Sequence, residues 1–334
     1  MDKQQDGLFA VIVDVGGTHI RFGALNTRDA PLQCVEVYDC ARFSQLDDAL
    51  QHYQARLRTL GAAEGPPVFL CLALPGDVQS EPVELVNLHW RIDLTRLAQR
   101  FHCQVVTLND FSAQAHAIPV FQAADLAWLR AADAPSTGLN RAIIGPGTGL
   151  GVSALLPGGQ VVESEGGHIS FAPQSGLQQQ VLTALWTVFP RLSAERLISG
   201  PGLANLYRGL ALIDGETQQL APEQISQRAL AGDARCLAAI RLFTEVFGSI
   251  CGDLALVFGA KGGIYLSGGL LQGLGELFDE ALFLEHFDNK GRYSDYCRRI
   301  PIARVLNPQP GLLGAVSYVR QSGPVNSSRE REQT

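Results

Sequence analysis

The stretch Leu8–Leu25, LFAVIVDVGGTHIRFGAL, opens on a near-continuous apolar run to Asp14 and breaks at Val15-Gly16-Gly17-Thr18. From His19 it alternates, with Ile20, Phe22 and Ala24 on one face. This pattern predicts a strand, a tight glycine turn and a second strand. The stretch 141–156, RAIIGPGTGLGVSALL, reads the same way: Arg141 to Ile144, a turn at Gly145-Pro146-Gly147-Thr148-Gly149, and a strand from Leu150. Setting Gly17-Thr18 on Gly147-Thr148 aligns the flanking apolar runs. The pair predicts an internal duplication, with chance likeness between two glycine hairpins as the competing reading.

Outward from these hairpins the chain alternates strands and helices. A third strand is expected over Gln33 to Tyr38. Leu46, Leu50, Tyr53, Leu57 and Leu60 then recur at helical spacing behind Ser44 as N-cap. Val68 to Leu74 reads as a buried strand ending in Pro75-Gly76-Asp77, and Gln104 to Leu108 as another, ending in Asn109-Asp110 before a helix. The second half is richer in helix. Asp233 to Phe258 is apolar but interrupted by Arg235, Arg241, Glu245 and Asp253, so it is expected in a core and not across a membrane. Gly262 to Ser267 supplies a late strand before Gly268-Gly269. Pro308 and Pro310 mark a boundary before a last helix, Gly311 to Arg320. The alternation predicts a mixed sheet covered by helices.

Composition narrows the class of ligand. Of 334 residues, 46% are apolar and 18% charged, as in a folded chain and not a disordered one. Lys and Arg number 26 against 33 Asp and Glu, a net charge of −7 without a basic block, which argues against a nucleic-acid partner. Glycine, at 35 residues, is over-represented and gathers in short loops, where backbone can approach a small ligand. The seven cysteines form no CxxC pair, which fits reduced thiols better than disulfides or a zinc site. The polar start, Met1 to Asp6, does not resemble a secretion signal, and a cytosolic protein is expected.

Two glycine-threonine turns and Gly268-Gly269 point to a nucleotide held by backbone N–H groups. No Gly-Lys dipeptide occurs, so the lysine-bearing phosphate loop is absent, and the glycines at 145, 147, 149 and 151 do not match a dinucleotide fingerprint. Asp14 closes a buried strand before a glycine turn: either it stands near magnesium, or it accepts hydrogen bonds from the turn amides. Asn109-Asp110 meets a helix at a strand end, where ligands bind but where capping also favours both residue types. If functional, the amide orients a hydroxyl and the carboxylate takes its proton. Glu165 and His168 have metal-ligand spacing, yet Gly166-Gly167 between them argues against a helix, so a loop suited to a polyhydroxylated ligand is expected. Glu195, in Ser193-Ala194-Glu195-Arg196, is either a ligand group or a first-turn glutamate at a helix start.

In order along the chain stand Asp14-Val15-Gly16-Gly17-Thr18, Leu108-Asn109-Asp110-Phe111, Gly147-Thr148-Gly149-Leu150-Gly151 and Glu165-Gly166-Gly167-His168. Ser193-Ala194-Glu195-Arg196, Ser199-Gly200-Pro201-Gly202 and Pro310-Gly311-Leu312-Leu313-Gly314 follow. This ordered set resembles the bacterial glucokinase family from about Leu8 to Arg320, without the cysteine-rich zinc motif of the repressor and kinase sugar-kinase family. The resemblance implies an α/β, actin-like (ribonuclease H-like) ATPase fold, two related domains with a cleft between them, and a cytoplasmic homodimer. Expected boundaries are 1–109 plus 308–320 for a small domain and 110–307 for a large one, with 321–334 a disordered tail.

By the same resemblance Asn109, Asp110, Glu165, His168 and Glu195 bind glucose, with Asp110 as the base. Val13, Asp14, Val15, Gly16, Gly17 and Thr18, together with Gly147, Thr148, Gly149, Gly268 and Gly269, hold ATP, with Mg2+ carried by ATP near Asp14 and no resident metal. The implied activity is transfer of the γ-phosphoryl of ATP to the 6-hydroxyl of glucose, the first step of glycolysis. The alternatives are a kinase for fructose, mannose or glucosamine, and a sugar sensor of the same fold without turnover. An actin-like chaperone or filament ATPase would need neither Asn109-Asp110 nor the Glu165 and His168 pair.

Overall fold

The computed structural model describes residues 8–62, 65–85, 88–131 and 138–322. The first strands and helices are β1 (Ala10–Val15), β2 (His19–Leu25), β3 (Gln33–Asp39), α1 (Leu46–Thr59), β4 (Phe69–Leu74), β5 (Val83–Leu85), β6 (Trp90–Ile92), α2 (Leu94–Phe101), β7 (Gln104–Asn109) and α3 (Asp110–Ala117). Next come β8 (Leu126–Arg130), β9 (Arg141–Pro146), β10 (Leu150–Leu155), β11 (Val161–Ser164), α4 (Gly176–Trp186), α5 (Gly200–Ile213), α6 (Pro222–Leu230) and α7 (Ala234–Phe258). The chain continues through β12 (Gly263–Leu266), α8 (Gly269–Leu274), α9 (Glu280–Asp288), α10 (Ser294–Cys297), β13 (Ile302–Val305) and α11 (Pro310–Ser322). Two units result, Met1–Val120 with Pro308–Thr334, and Phe121–Asn307.

The five-stranded sheet of the first unit has the order β3-β2-β1-β4-β7; the six-stranded sheet of the second has β11-β10-β9-β12-β13-β8. Position for position, the first five strands agree in direction as well as order. β1, β2 and β3 run antiparallel, as do β9, β10 and β11. β1, β4 and β7 run parallel, as do β9, β12 and β13. The duplication therefore extends from the hairpins to the whole sheet, and β8 is an addition to the second copy. This is the α/β, actin-like architecture expected from the sequence.

Alternation in β1 and β4 places apolar side chains on both faces of the first sheet, as a covered parallel sheet requires. Val11, Val13, Val15, Leu70 and Leu72 pack with Leu50 and Tyr53 of α1 and Leu97 of α2. Ala10, Ile12, Cys71 and Ala73 pack on the other face with Ala113 of α3 and Leu312, Ala315 and Val316 of α11. In the second unit α7 is the core helix the sequence predicted, capped by Asp233 and ended by Gly259 at φ 57°. Among the described residues no helix is long and apolar enough to cross a membrane, and all seven cysteines are free thiols.

Three local expectations are corrected. The first domain boundary falls after Val120 and not at 109, because α3 packs on α11: a Cβ at Gly314 would overlap the Ala113 carbonyl oxygen. Gln45, not Ser44, is the N-cap of α1, and the Ser44 hydroxyl instead donates to the Asp48 carboxylate at 2.8 Å. Gln321 and Ser322 belong to α11; the rest of the tail expected to be disordered lies outside the described residues.

Candidate active site

In the first unit three parallel strands end together, since Asp14 of β1 lies opposite Ala73 and Leu74 of β4 opposite Asn109 of β7. Beyond them stand the β1–β2 turn, the Pro75-Gly76-Asp77 loop and the start of α3. Val13 and Val15 are fully buried in the core, so of the stretch Val13 to Thr18 it is Asp14 and the turn Gly16-Gly17-Thr18 that keep exposed atoms for a ligand. Gly16 N–H donates to the His19 carbonyl at 2.9 Å, closing the turn. Gly17 and Thr18 are exposed, and their N–H groups find no acceptor among the described residues. Successive unpaired amides in a turn are the kind of donor pair that binds an anion.

Asp14 is only 8% exposed, and its Oδ2 lies 3.5 Å from the Arg21 guanidinium, across the hairpin in register. Burial raises its pKa above the ordinary value, with Arg21 partly offsetting this. Gly311, at the start of α11, covers the carboxylate so closely that a Cβ there would meet Oδ1 at 2.8 Å. The turn amides make no hydrogen bond to this carboxylate among the described residues, which removes one of the two readings of Asp14.

Asn109 is the N-cap of α3: its Oδ1 accepts from Phe111 N–H at 2.9 Å and Ser112 N–H at 3.1 Å. Its Nδ2 donates to the Gly76 carbonyl at 3.3 Å, tying the β4 loop to the helix start. Gly76 has φ 87°, a conformation that favours glycine. Asp110 is the first residue of α3, half-buried, with its Oδ1 accepting from Phe111 N–H at 2.9 Å. Asn109 is thus the N-cap, and the Asp110 carboxylate shares the Phe111 N–H with it.

The second unit assembles its candidates around the β9–β10 turn. Gly147 N–H donates to the Gly149 carbonyl, and Gly200 N–H, at the start of α5, donates to the Gly147 carbonyl, both at 2.8 Å. Glu195 Oε2 accepts from Leu150 N–H at 2.9 Å, and Glu195 N–H donates to the Gly167 carbonyl at 2.8 Å. Glu165 caps and His168 ends a single 3-10 turn, both exposed, with Oε2 and Nε2 3.8 Å apart. Gly268, at φ 100°, packs on the Pro146 carbonyl, which brings Gly268-Gly269 beside the same hairpin. The Glu195 carboxylate, bonded to Leu150 N–H, and the Glu195 N–H, bonded to Gly167, therefore tie the end of the Thr148 turn to the Gly167 segment.

Glu195 is not at a helix start, in contrast to one sequence reading: α5 begins at Gly200, behind Ser199 as N-cap and with Pro201 in its first turn. Its carboxylate instead anchors β10. Arg21, Gly311 and Cys40 carry no functional reading of their own in the sequence, yet each touches a candidate group. Arg21 alone had a usable signal, since closing the hairpin at Gly16-Gly17 sets residue 21 opposite residue 14.

A family model described as Glucokinase matches residues 11–322. A glucokinase of Xylella fastidiosa (strain 9a5c) is 40% identical over 329 residues, 94% of this chain and 96% of the relative. Among solved structures, the glucokinase of an Antarctic psychrotroph aligns with a TM-score of 0.82 at 34% identity, covering 94% of this chain and 99% of its own. Glucokinase from Balamuthia mandrillaris, solved in complex with glucose, shares the fold at a TM-score of 0.73 and 21% identity, over 93% of each chain. With the family model spanning nearly all the described residues and a relative at 40% identity, the chain belongs to the glucokinase family.

Proposed function

We propose that this chain is an ATP-dependent hexose kinase acting on glucose, with Asp110 as general base. The sugar 6-oxygen attacks the γ-phosphorus, its proton passes to the Asp110 carboxylate, and the bond between the γ-phosphorus and the β–γ bridging oxygen breaks. Glucose 6-phosphate and ADP leave, and Asp110 returns its proton to solvent. No covalent enzyme intermediate is needed. Asn109, Glu165, His168 and Glu195 offer the sugar hydroxyls acceptors and donors. The free amides of Gly17 and Thr18, with the turn at Gly147, Thr148 and Gly149, take the phosphates, and Gly268-Gly269 the adenosine side.

The chemistry of Asp14 fits a magnesium ion that arrives with ATP. It is a hard oxygen donor whose burial favours a nearby cation, and magnesium commonly uses one or two carboxylates with phosphate and water for the rest. Asp14 would help hold that ion, which would supply charge neutralisation to the phosphates. The same reading takes the protein to act in the cytoplasm, as a homodimer, at the first step of glycolysis.

The observation that carries this reading is the division of labour at the end of β7. Asn109 makes the cap with its amide oxygen, and directly after it a half-buried carboxylate, Asp110, stands at the first helical position where β7 ends beside β4 and β1. Asp110→Asn should therefore fold and bind glucose normally, while kcat falls by roughly 10²–10⁴, the usual contribution of a positioned base. ADP formation is measured by a coupled assay with Mg-ATP over glucose, fructose, mannose and glucosamine. Normal turnover in the variant overturns the role of Asp110, and a preference for another hexose overturns glucose.

A further inference from the structure

Cys40 lies directly after β3, is 2% exposed, and opens the short 3-10 turn Cys40–Arg42. Two of its groups reach back to the β1–β2 turn. Its N–H donates to the Thr18 carbonyl at 2.8 Å, and its Sγ donates to the Gly16 carbonyl at 3.7 Å. Carbonyl oxygens repel a phosphate and amide hydrogens attract it, so a turn that holds phosphate must keep its carbonyls turned away. Here one side chain and one backbone group do this for both carbonyls that flank Gly17. Of the turn's N–H groups, that of Gly16 closes on His19, and those of Gly17 and Thr18 find no acceptor among the described residues.

We propose that Cys40 is a positioning residue for nucleotide binding: by holding the Gly16 and Thr18 carbonyls from behind, it presets the Gly17 and Thr18 amides for a phosphate. The inference rests on the reading of this turn as a phosphate loop. It needs a neutral thiol that acts as donor. Burial, reinforced by the Asp39 charge, pushes the Cys40 thiol up to about 11, so the S–H persists at neutral pH. The second hairpin solves the same problem differently, with the Gly147 carbonyl held by Gly200 N–H.

The test compares Cys40→Ala, Cys40→Ser and Gly17→Val with the parent chain in KM for Mg-ATP, KM for glucose, kcat and Tm. Loss of the donor in Cys40→Ala should raise KM for Mg-ATP roughly two- to tenfold, the worth of one modest hydrogen bond, and leave KM for glucose near the parent value. Cys40→Ser, which keeps a donor, should recover most of the loss. Should Cys40→Ala fail to fold, Cys40→Val supplies the variant without a donor. Unchanged KM for Mg-ATP in the variant without a donor, while Gly17→Val raises it, overturns the proposal. Equal losses for both substrates, or no recovery in the serine variant, also overturn it, because a packing role predicts them. If Gly17→Val leaves KM for Mg-ATP unchanged, the phosphate-loop reading fails and this inference with it.

Discussion

Gly149→Ala is a substitution in the turn assigned to ATP whose main effect should fall on the sugar. A Cβ at this position would stand 2.5 Å from Glu195 Oε2, about 1 Å inside ordinary contact for carbon and oxygen. The carboxylate is the end of a flexible side chain and will swing away, so the steric cost itself is small. What is lost is its bond from Leu150 N–H, now 2.9 Å, which cannot survive a shift of that size. A hydrogen bond to a charged group is worth about 1.5–3 kcal/mol. Glu195 is half-buried, so the lower end applies, and KM for glucose should rise about tenfold. Initial-rate kinetics with the sugar and the nucleotide varied in turn measure this. In a Glu195→Gln background the glycine substitution should add little, because both changes disturb one interaction. An unchanged KM for glucose, or full additivity of the two substitutions, would refute the coupling.

Two further outcomes follow from the first unit. The Asp14 pKa is raised in the folded chain, so ionising it disfavours the fold: its contribution is fully present below the unfolded value and is lost as pH rises through the folded one. Asp14→Asn should thus raise Tm at neutral pH, with the gain vanishing in acid. It should also lower kcat/KM for Mg-ATP tenfold or more, on the order of one charge-assisted contact, and a variant less stable at pH 7 contradicts the sign. Gly314→Ala places a methyl group on the Ala113 carbonyl and must push α3 and α11 apart. A cost of about 1–3 kcal/mol and a Tm several degrees lower are expected in a thermal melt, and an unchanged melt removes that crossing as a constraint.

Local pattern carried the sheets. The doubly apolar alternation of β1 and β4 and the glycine turns are properties of six or seven neighbouring residues, and strand order repeated what the two hairpins already implied. Asn109 was legible only as one of two things, a cap or a ligand group, because a strand end before a helix suits both; its Oδ1 on the Phe111 and Ser112 amides establishes the cap. Glu195 was ambiguous because Ser193 imitates an N-cap, whereas the true start carried its own signal in Ser199 and Pro201. The α3–α11 contact was not legible. It joins Ala113 to Gly314, about two hundred residues apart, and no local propensity records a partner so distant. The same holds for Gly311 over Asp14 and Cys40 behind the turn: each is a contact made by tertiary folding between residues that look ordinary in their own segments.

The return of α11 to the first unit has a consequence for biosynthesis. Leu312, Ala315, Val316 and Val319 cover Ala10, Ile12, Cys71 and Ala73, so one face of the earliest sheet to leave the ribosome is completed by a helix made some two hundred residues later. At about 5–20 residues per second that face waits for on the order of ten seconds or more, apolar and only partly sheltered by α3. By the end of that interval the second unit, whose strands and core helices lie between Phe121 and Asn307, has all its own residues, before the first unit has received α11. The unit that begins first is therefore the one that finishes last, and a nascent chain stalled before Pro310 presents chaperones with an unfinished N-terminal half.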